Sequence, residues 1–181
     1  MANKNLVVYL LRFLLSFCIL YFGTKVIIGL SAPGGYYSNF VHSYLNYISL
    51  LRFSLLHGSN SFVTIAGYKS YIANTYSIRI LNGRGVNIVY SCLGYGIMSF
   101  WAAFVFAYKA GWEKKILWIL IGWILIWCIN VTRISLLLIA VNNNKSLPFN
   151  LNHHTLFNIA AYTTIFILIY FFDRSQKDRA L

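Results

Sequence analysis

Long apolar runs alternate with short polar breaks along this chain, and the runs are too long and too unbroken for the core of a soluble domain. Residues 6–30, 93–110, 116–141 and 155–172 are dominated by aliphatic and aromatic side chains. A helix needs about 20 such residues to cross a hydrocarbon core, so the pattern predicts four transmembrane helices there. The strict alternation of a transmembrane barrel is missing from these runs. Residues 40–56 behave differently. Phe40, Leu45, Ile48, Leu51, Leu55 and Leu56 recur at helical spacing, but His42, Asn46 and Arg52 lie among them. This predicts an amphipathic helix in the membrane interface, with a further crossing as the alternative.

The most polar part is 58–92. Residues 74–80 alternate and are rich in Thr, Tyr and Ile, Asn82-Gly83-Arg84-Gly85 is a turn signal, and residues 86–90 are β-branched again. A small β-hairpin ending just before Cys92 is expected. The predicted fold class is an all-α integral membrane protein forming one membrane domain over 1–181. It has about four transmembrane helices, an interfacial helix and a small extracytoplasmic β-hairpin.

Composition sharpens this picture. The chain has 181 residues, 59% hydrophobic, with 3 acidic and 15 basic residues and a formal charge of +12. Nucleic acid is not the expected partner, because the basic residues are scattered and gather at the ends of apolar runs; lipid headgroups and topology account for them. No small-residue cleavage site follows a short apolar core, so the first run reads as a retained span. The cysteines, Cys18, Cys92 and Cys128, show no disulfide framework and no metal-ligand spacing. No cofactor and no metal is expected.

The lysines and arginines orient the chain. The basic loop 109–115 and the basic tail after residue 172 belong on the cytoplasmic side, and the two spans between them agree in parity. Cys92, at the start of the second span, and the loop before His153 then face outward. Arg133 lies about eight residues from the outer end of its span, roughly 12 Å deep at the helical rise. Three chemically capable groups therefore share one side of a cytoplasmic, that is inner, multi-pass membrane protein.

Each group has an ordinary explanation and a functional one. A free cysteine commonly packs as a small hydrophobe. Cys92, however, sits between a polar segment and a helix start expected near Leu93, where the helix dipole and free N–H groups stabilise negative charge on a nucleophile or on a developing oxyanion. Arg133 could snorkel to headgroups, but an arginine inside an apolar helix is a functional candidate. Asn130 lies three residues earlier on the same face. His153 and His154 open the last span, and either can exchange a proton with a nearby thiol. His154 shares a face with Asn158, four residues on, which modestly favours it. His42 and His57 are read as interfacial or structural.

The order Cys, Arg, His, at the outer ends of three consecutive spans, resembles the exosortase/archaeosortase family of membrane cysteine transpeptidases, in a short, few-span form. The resemblance rests on Ser91-Cys92-Leu93-Gly94, on the Asn130-x-x-Arg133-Ile134 pattern, and on His153-His154; it covers roughly 85–172. Leu93 stands where the family carries a small residue, and Asn158 stands where it often carries glycine. The resemblance implies that Cys92 attacks a peptide bond in the C-terminal sorting signal of an exported protein. Such a signal combines a short motif, a membrane helix and a basic tail. A thioester acyl-enzyme would pass to a surface acceptor. His154 or His153 would be the acid and base, Arg133 would stabilise the intermediate or orient the substrate, and Ser91, Gly94, Asn130 and Asn158 would support the site. The implied partners are membrane-anchored protein substrates and the lipid bilayer. A rival from another class is a non-catalytic membrane subunit whose Arg133 pairs with an acidic residue of a partner helix.

Overall fold

The computed structural model describes residues 2–32, 36–143 and 153–177. The described residues are mostly helical, with one small sheet. In chain order they form α1 (Ala2–Ser31), a π-helical turn (Val41–Leu45), α2 (Tyr47–Ile65), β1 (Ser70–Asn74), β2 (Ser77–Ile80), β3 (Gly85–Asn87), a 3₁₀ turn (Tyr90–Cys92), α3 (Tyr95–Ala107), α4 (Trp112–Asn142) and α5 (His153–Lys177). Among the described residues, Lys4–Ser31 and Trp112–Asn142 are long and apolar enough to cross a membrane. The chain is a membrane protein. α3 is apolar but has only 13 residues, a rise of roughly 20 Å, shorter than the run 93–110 suggests. Gly94, at φ 76°, ends the preceding turn and delays its start.

Two stretches depart from the pattern-based expectation. The segment 40–56 is not one helix: the chain breaks at Asn46 (φ −80°, ψ 60°) between the π-helical turn and α2. α2 then runs on to Ile65 and buries Ile48, Leu55, Leu56, Ser59 and Val63. The polar insert is a three-stranded antiparallel sheet in the order β1-β2-β3 rather than a hairpin. The alternating run 74–80 folds back on itself because the Asn74 side chain captures the turn. Its Oδ1 accepts from the Tyr76 N–H at 3.0 Å and from the Ser77 hydroxyl at 2.8 Å, an Asx turn that competes with a continuous strand. The second turn falls at the expected Asn82-Gly83, with Asn82 at φ 57°.

The described residues divide into two compact units. One comprises 1–46, 95–125 and 164–181. Its seam is aromatic. Tyr9, Phe13, Phe17 and Tyr21 recur every four residues on α1, and Tyr9 meets Phe104, Phe13 and Phe17 meet Phe100, and Tyr21 stacks on Tyr95. Phe172 of α5 is fully buried and lies edge-on to Trp101, Phe104, Tyr108 and Trp118. The Trp101 indole N–H reaches the Trp118 carbonyl at 2.9 Å, an approach that Gly122 permits because a Cβ there would overlap the ring. Elsewhere α1 leaves Leu6, Leu10, Leu11, Leu14, Leu15 and Ile19 exposed, as a lipid-facing surface requires.

The second unit comprises 47–94 and 126–163. Here α2 presents small residues to α4, the way closely packed membrane helices do. A Cβ on Gly58 would fall 2.8 Å from the Trp127 ring and 2.9 Å from Val131. The Trp127 N–H donates to the Ser54 hydroxyl at 3.0 Å. The buried Ser135 hydroxyl donates to the Val131 carbonyl at 2.8 Å and to the Ser59 carbonyl at 3.4 Å. Ile78 and Ile80 of the sheet are buried in this unit, as are Ile88, Leu93, Ile134 and Leu138.

Candidate active site

The second unit carries a site built from one turn and one helix face. After β3 the chain makes the 3₁₀ turn ending at Cys92, Leu93 stays right-handed helical, and Gly94 takes a left-handed conformation before α3 begins. Cys92 therefore lies three residues before the helix, at the end of its own turn, and not on the first turn of α3. The Cys92 N–H donates to the Val89 carbonyl at 2.9 Å and the Leu93 N–H to the Tyr90 carbonyl at 3.2 Å. These two amides are already engaged, so the backbone oxyanion donors that a helix start at Leu93 suggests are not available there.

Arg133 reaches the cysteine from α4. Its Nη2 donates to Cys92 Sγ across 3.6 Å, which joins residues 41 positions apart in the chain. Arg133 and Cys92 are both half-buried. Asn130, one turn back on α4, is almost wholly buried at 1% exposure, and its Nδ2 donates to the Cys92 carbonyl at 3.0 Å. Its Oδ1 is buried without a partner among the described residues. Gly94 completes this contact, because a Cβ there would fall 3.0 Å from Asn130 Nδ2. Glycine is required at this position twice over, by its φ and by its neighbour.

Cys92 and Arg133 open onto a cavity of about 160 Å³ lined also by Val86, Asn87, Ile88, Val89, Ile134 and Leu137. β3 and the following segment form one wall, and α4 forms the other. Among the described residues, no three His, Cys, Asp or Glu side chains gather as a metal site would need.

Ser91 is exposed and Leu93 is fully buried in the core. His153 and His154 begin α5, but their side chains lie outside the described residues. Asn158 is exposed on α5. His57 packs against Phe53 and His42 against Tyr37, and neither is among the residues that line the cysteine cavity. One residue escaped the sequence reading. The Arg52 guanidinium of α2 sits 4.2 Å from the Tyr90 ring centroid, on the turn that ends in Cys92, at a distance suited to a cation–π contact. The signal was present: Arg52 is a basic residue within an apolar helical pattern, the same criterion that singled out Arg133.

A family model described as transmembrane exosortase matches residues 4–171 of this chain. No curated protein and no solved structure matches it.

Proposed function

The chain belongs to the transmembrane exosortase family, whose members have a sortase-like membrane transpeptidase role, and from that membership and the geometry at Cys92 we propose a cysteine acyl-transfer mechanism. The substrates are membrane proteins with C-terminal sorting signals, made of a short motif, a membrane helix and a basic tail. Cys92 Sγ attacks the carbonyl carbon of the scissile peptide while its proton passes to the imidazole of His154 or His153. The tetrahedral intermediate collapses, the C–N bond breaks, and the leaving amine takes that proton. A thioester remains on Cys92. An acceptor amine or water then attacks the thioester, gives up a proton to the imidazole, and frees the sulfur.

Arg133 is the group assigned to the oxyanion. A fixed guanidinium beside the attacking sulfur can place its N–H donors where negative charge develops, in a part-buried setting that strengthens the interaction. Asn130 and Gly94 are positioning residues, the first through the Cys92 carbonyl and the second through the conformation that allows this contact. Ser91 and Asn158 belong to the surroundings of the site. We place the enzyme in the cytoplasmic membrane with four crossings, 155–172 being the last, and with its active site on the extracytoplasmic face. A substrate tethered by its own helix would then meet Cys92 within the membrane plane, at high effective concentration.

The observation that carries this proposal is the 3.6 Å contact between Arg133 Nη2 and Cys92 Sγ on a shared cavity. The test is processing of an exported reporter ending in the motif, helix and basic tail of a protein from the same organism. Cys92→Ala should abolish processing. Arg133→Ala should lower it about 10²- to 10³-fold, the usual cost of losing an oxyanion donor. Intact-mass spectrometry of the parent enzyme should find the reporter's acyl group on Cys92. Undiminished processing by Cys92→Ala would sink the mechanism.

A further inference from the structure

The register of the sheet fixes which backbone groups of β3 are spent. β2 and β3 pair Ser77 with Asn87, Ile78 with Val86 and Arg79 with Gly85. The Ile88 N–H donates to the Tyr76 carbonyl at 2.7 Å and the Ile80 N–H to the Arg84 carbonyl at 3.1 Å. In an antiparallel ladder the bonded residues alternate. Arg84, Val86 and Ile88 therefore turn their N–H and C=O groups toward β2. Gly85, Asn87 and Val89 turn theirs away, along the open edge, because β3 is the last strand of the sheet. Side chains follow the same alternation, with Ile88 buried, Val86 half-buried, and Asn87 and Val89 exposed.

That edge is not simply solvent-facing. Asn87 and Val89 line the same cavity as Cys92 and Arg133. The Val89 carbonyl accepts from the Cys92 N–H, so the free edge stops where the nucleophile's turn begins. We infer that the β3 edge is the substrate-docking strand of this enzyme: an extended segment of the substrate beside the scissile bond pairs with the outward N–H and C=O of Asn87 and with the neighbouring outward groups of Gly85 and the outward N–H of Val89, and this ladder delivers the following peptide bond to Cys92. Main-chain pairing to an exposed edge supplies affinity with little dependence on side chains. It also holds the peptide extended, the conformation in which one carbonyl can be presented to a sulfur and a guanidinium together. The inference rests on the acyl-transfer mechanism proposed above.

Proline at position 87 tests it, because it removes an N–H that points away from β2 and leaves the β2–β3 bonds in place. Edge strands tolerate proline in that orientation, and Val86 is already in the extended conformation that a following proline demands. The probe is the same exported reporter. Asn87→Ala, which keeps the N–H, should process it within about threefold of the parent, whereas Asn87→Pro should be slower by about tenfold, the loss of one hydrogen bond in a docked complex. Both variants should alkylate at Cys92 with iodoacetamide at the parent's rate, which shows an intact site. A second measurement is independent of turnover: in a Cys92→Ala background, Asn87→Cys should form disulfides with cysteines placed at alternate positions of the reporter's motif, the period of a strand. Parent-like processing by Asn87→Pro, equal loss in Asn87→Ala, or disulfides without alternation would each overturn edge pairing while leaving the cysteine mechanism standing. Processing that persists in Cys92→Ala would instead remove the mechanism, and the docking strand with it.

Discussion

At the scale of single residues, the turn around Cys92 depends on Gly94. Its left-handed backbone costs a residue with a side chain about 1–3 kcal/mol, and the added Cβ would also press on the Asn130 amide at 3.0 Å. Gly67 is an internal comparison, since it has φ 89° but nothing within 4 Å of its missing Cβ. Gly67→Ala should therefore lower stability by the backbone term alone and leave the rate of Cys92 alkylation unchanged. Gly94→Ala should lower stability at least as much and also change that rate, because it displaces the amide holding the Cys92 carbonyl. Thermal unfolding in detergent and iodoacetamide kinetics measure the two effects. Equal alkylation rates in both variants would mean that Asn130 does not position the cysteine. The glycine itself was visible in the sequence as part of Ser91-Cys92-Leu93-Gly94. Its reason was not, because the sign of φ and the approach of Asn130, 36 positions away, are set by packing.

At the scale of elements, α4 holds Asn130 and Arg133 in place only as firmly as α2 holds α4. Gly58 sits at their closest approach, against a rigid indole and a β-branched side chain. Gly58→Ala should destabilise by about 1–3 kcal/mol, the usual cost of overpacking. Gly23→Ala, on the open surface of α1, should be neutral or stabilise by up to about 1 kcal/mol through helix propensity. Thermal melts of the two variants decide this, and a stabilising Gly58→Ala would refute the tight seam. The long helices were legible because an apolar run near 20 residues has few other structures open to it in a membrane. The sheet was only half legible. Asn82-Gly83 announces its turn through backbone chemistry, whereas the Asn74 turn is hidden in a run that alternates as a strand would, and β1 buries none of its residues. The edge of β3 could not be read from sequence at all, because strand order is a property of the assembled sheet.

At the scale of the whole molecule, topology makes a claim that the site chemistry needs. The loop between α3 and α4 carries Lys109, and Lys114 and Lys115 follow it in the first turn of α4; the positive-inside rule predicts that this basic loop is cytoplasmic. Cys92 precedes α3 and Arg133 lies in the later half of α4, so both are separated from that loop by helix in each direction along the chain. A peptide bond of an exported, membrane-anchored protein reaches an outward-facing sulfur only if this orientation holds. The three free cysteines make the orientation measurable. In a Cys18→Ala, Cys128→Ala variant, a membrane-impermeant maleimide added to intact cells or right-side-out vesicles should label Cys92. Inside-out vesicles should leave it unlabelled until detergent is added. Labelling from the cytoplasmic side alone would reverse the orientation, and no exported sorting signal could then be the substrate, however well Cys92 and Arg133 are placed for chemistry.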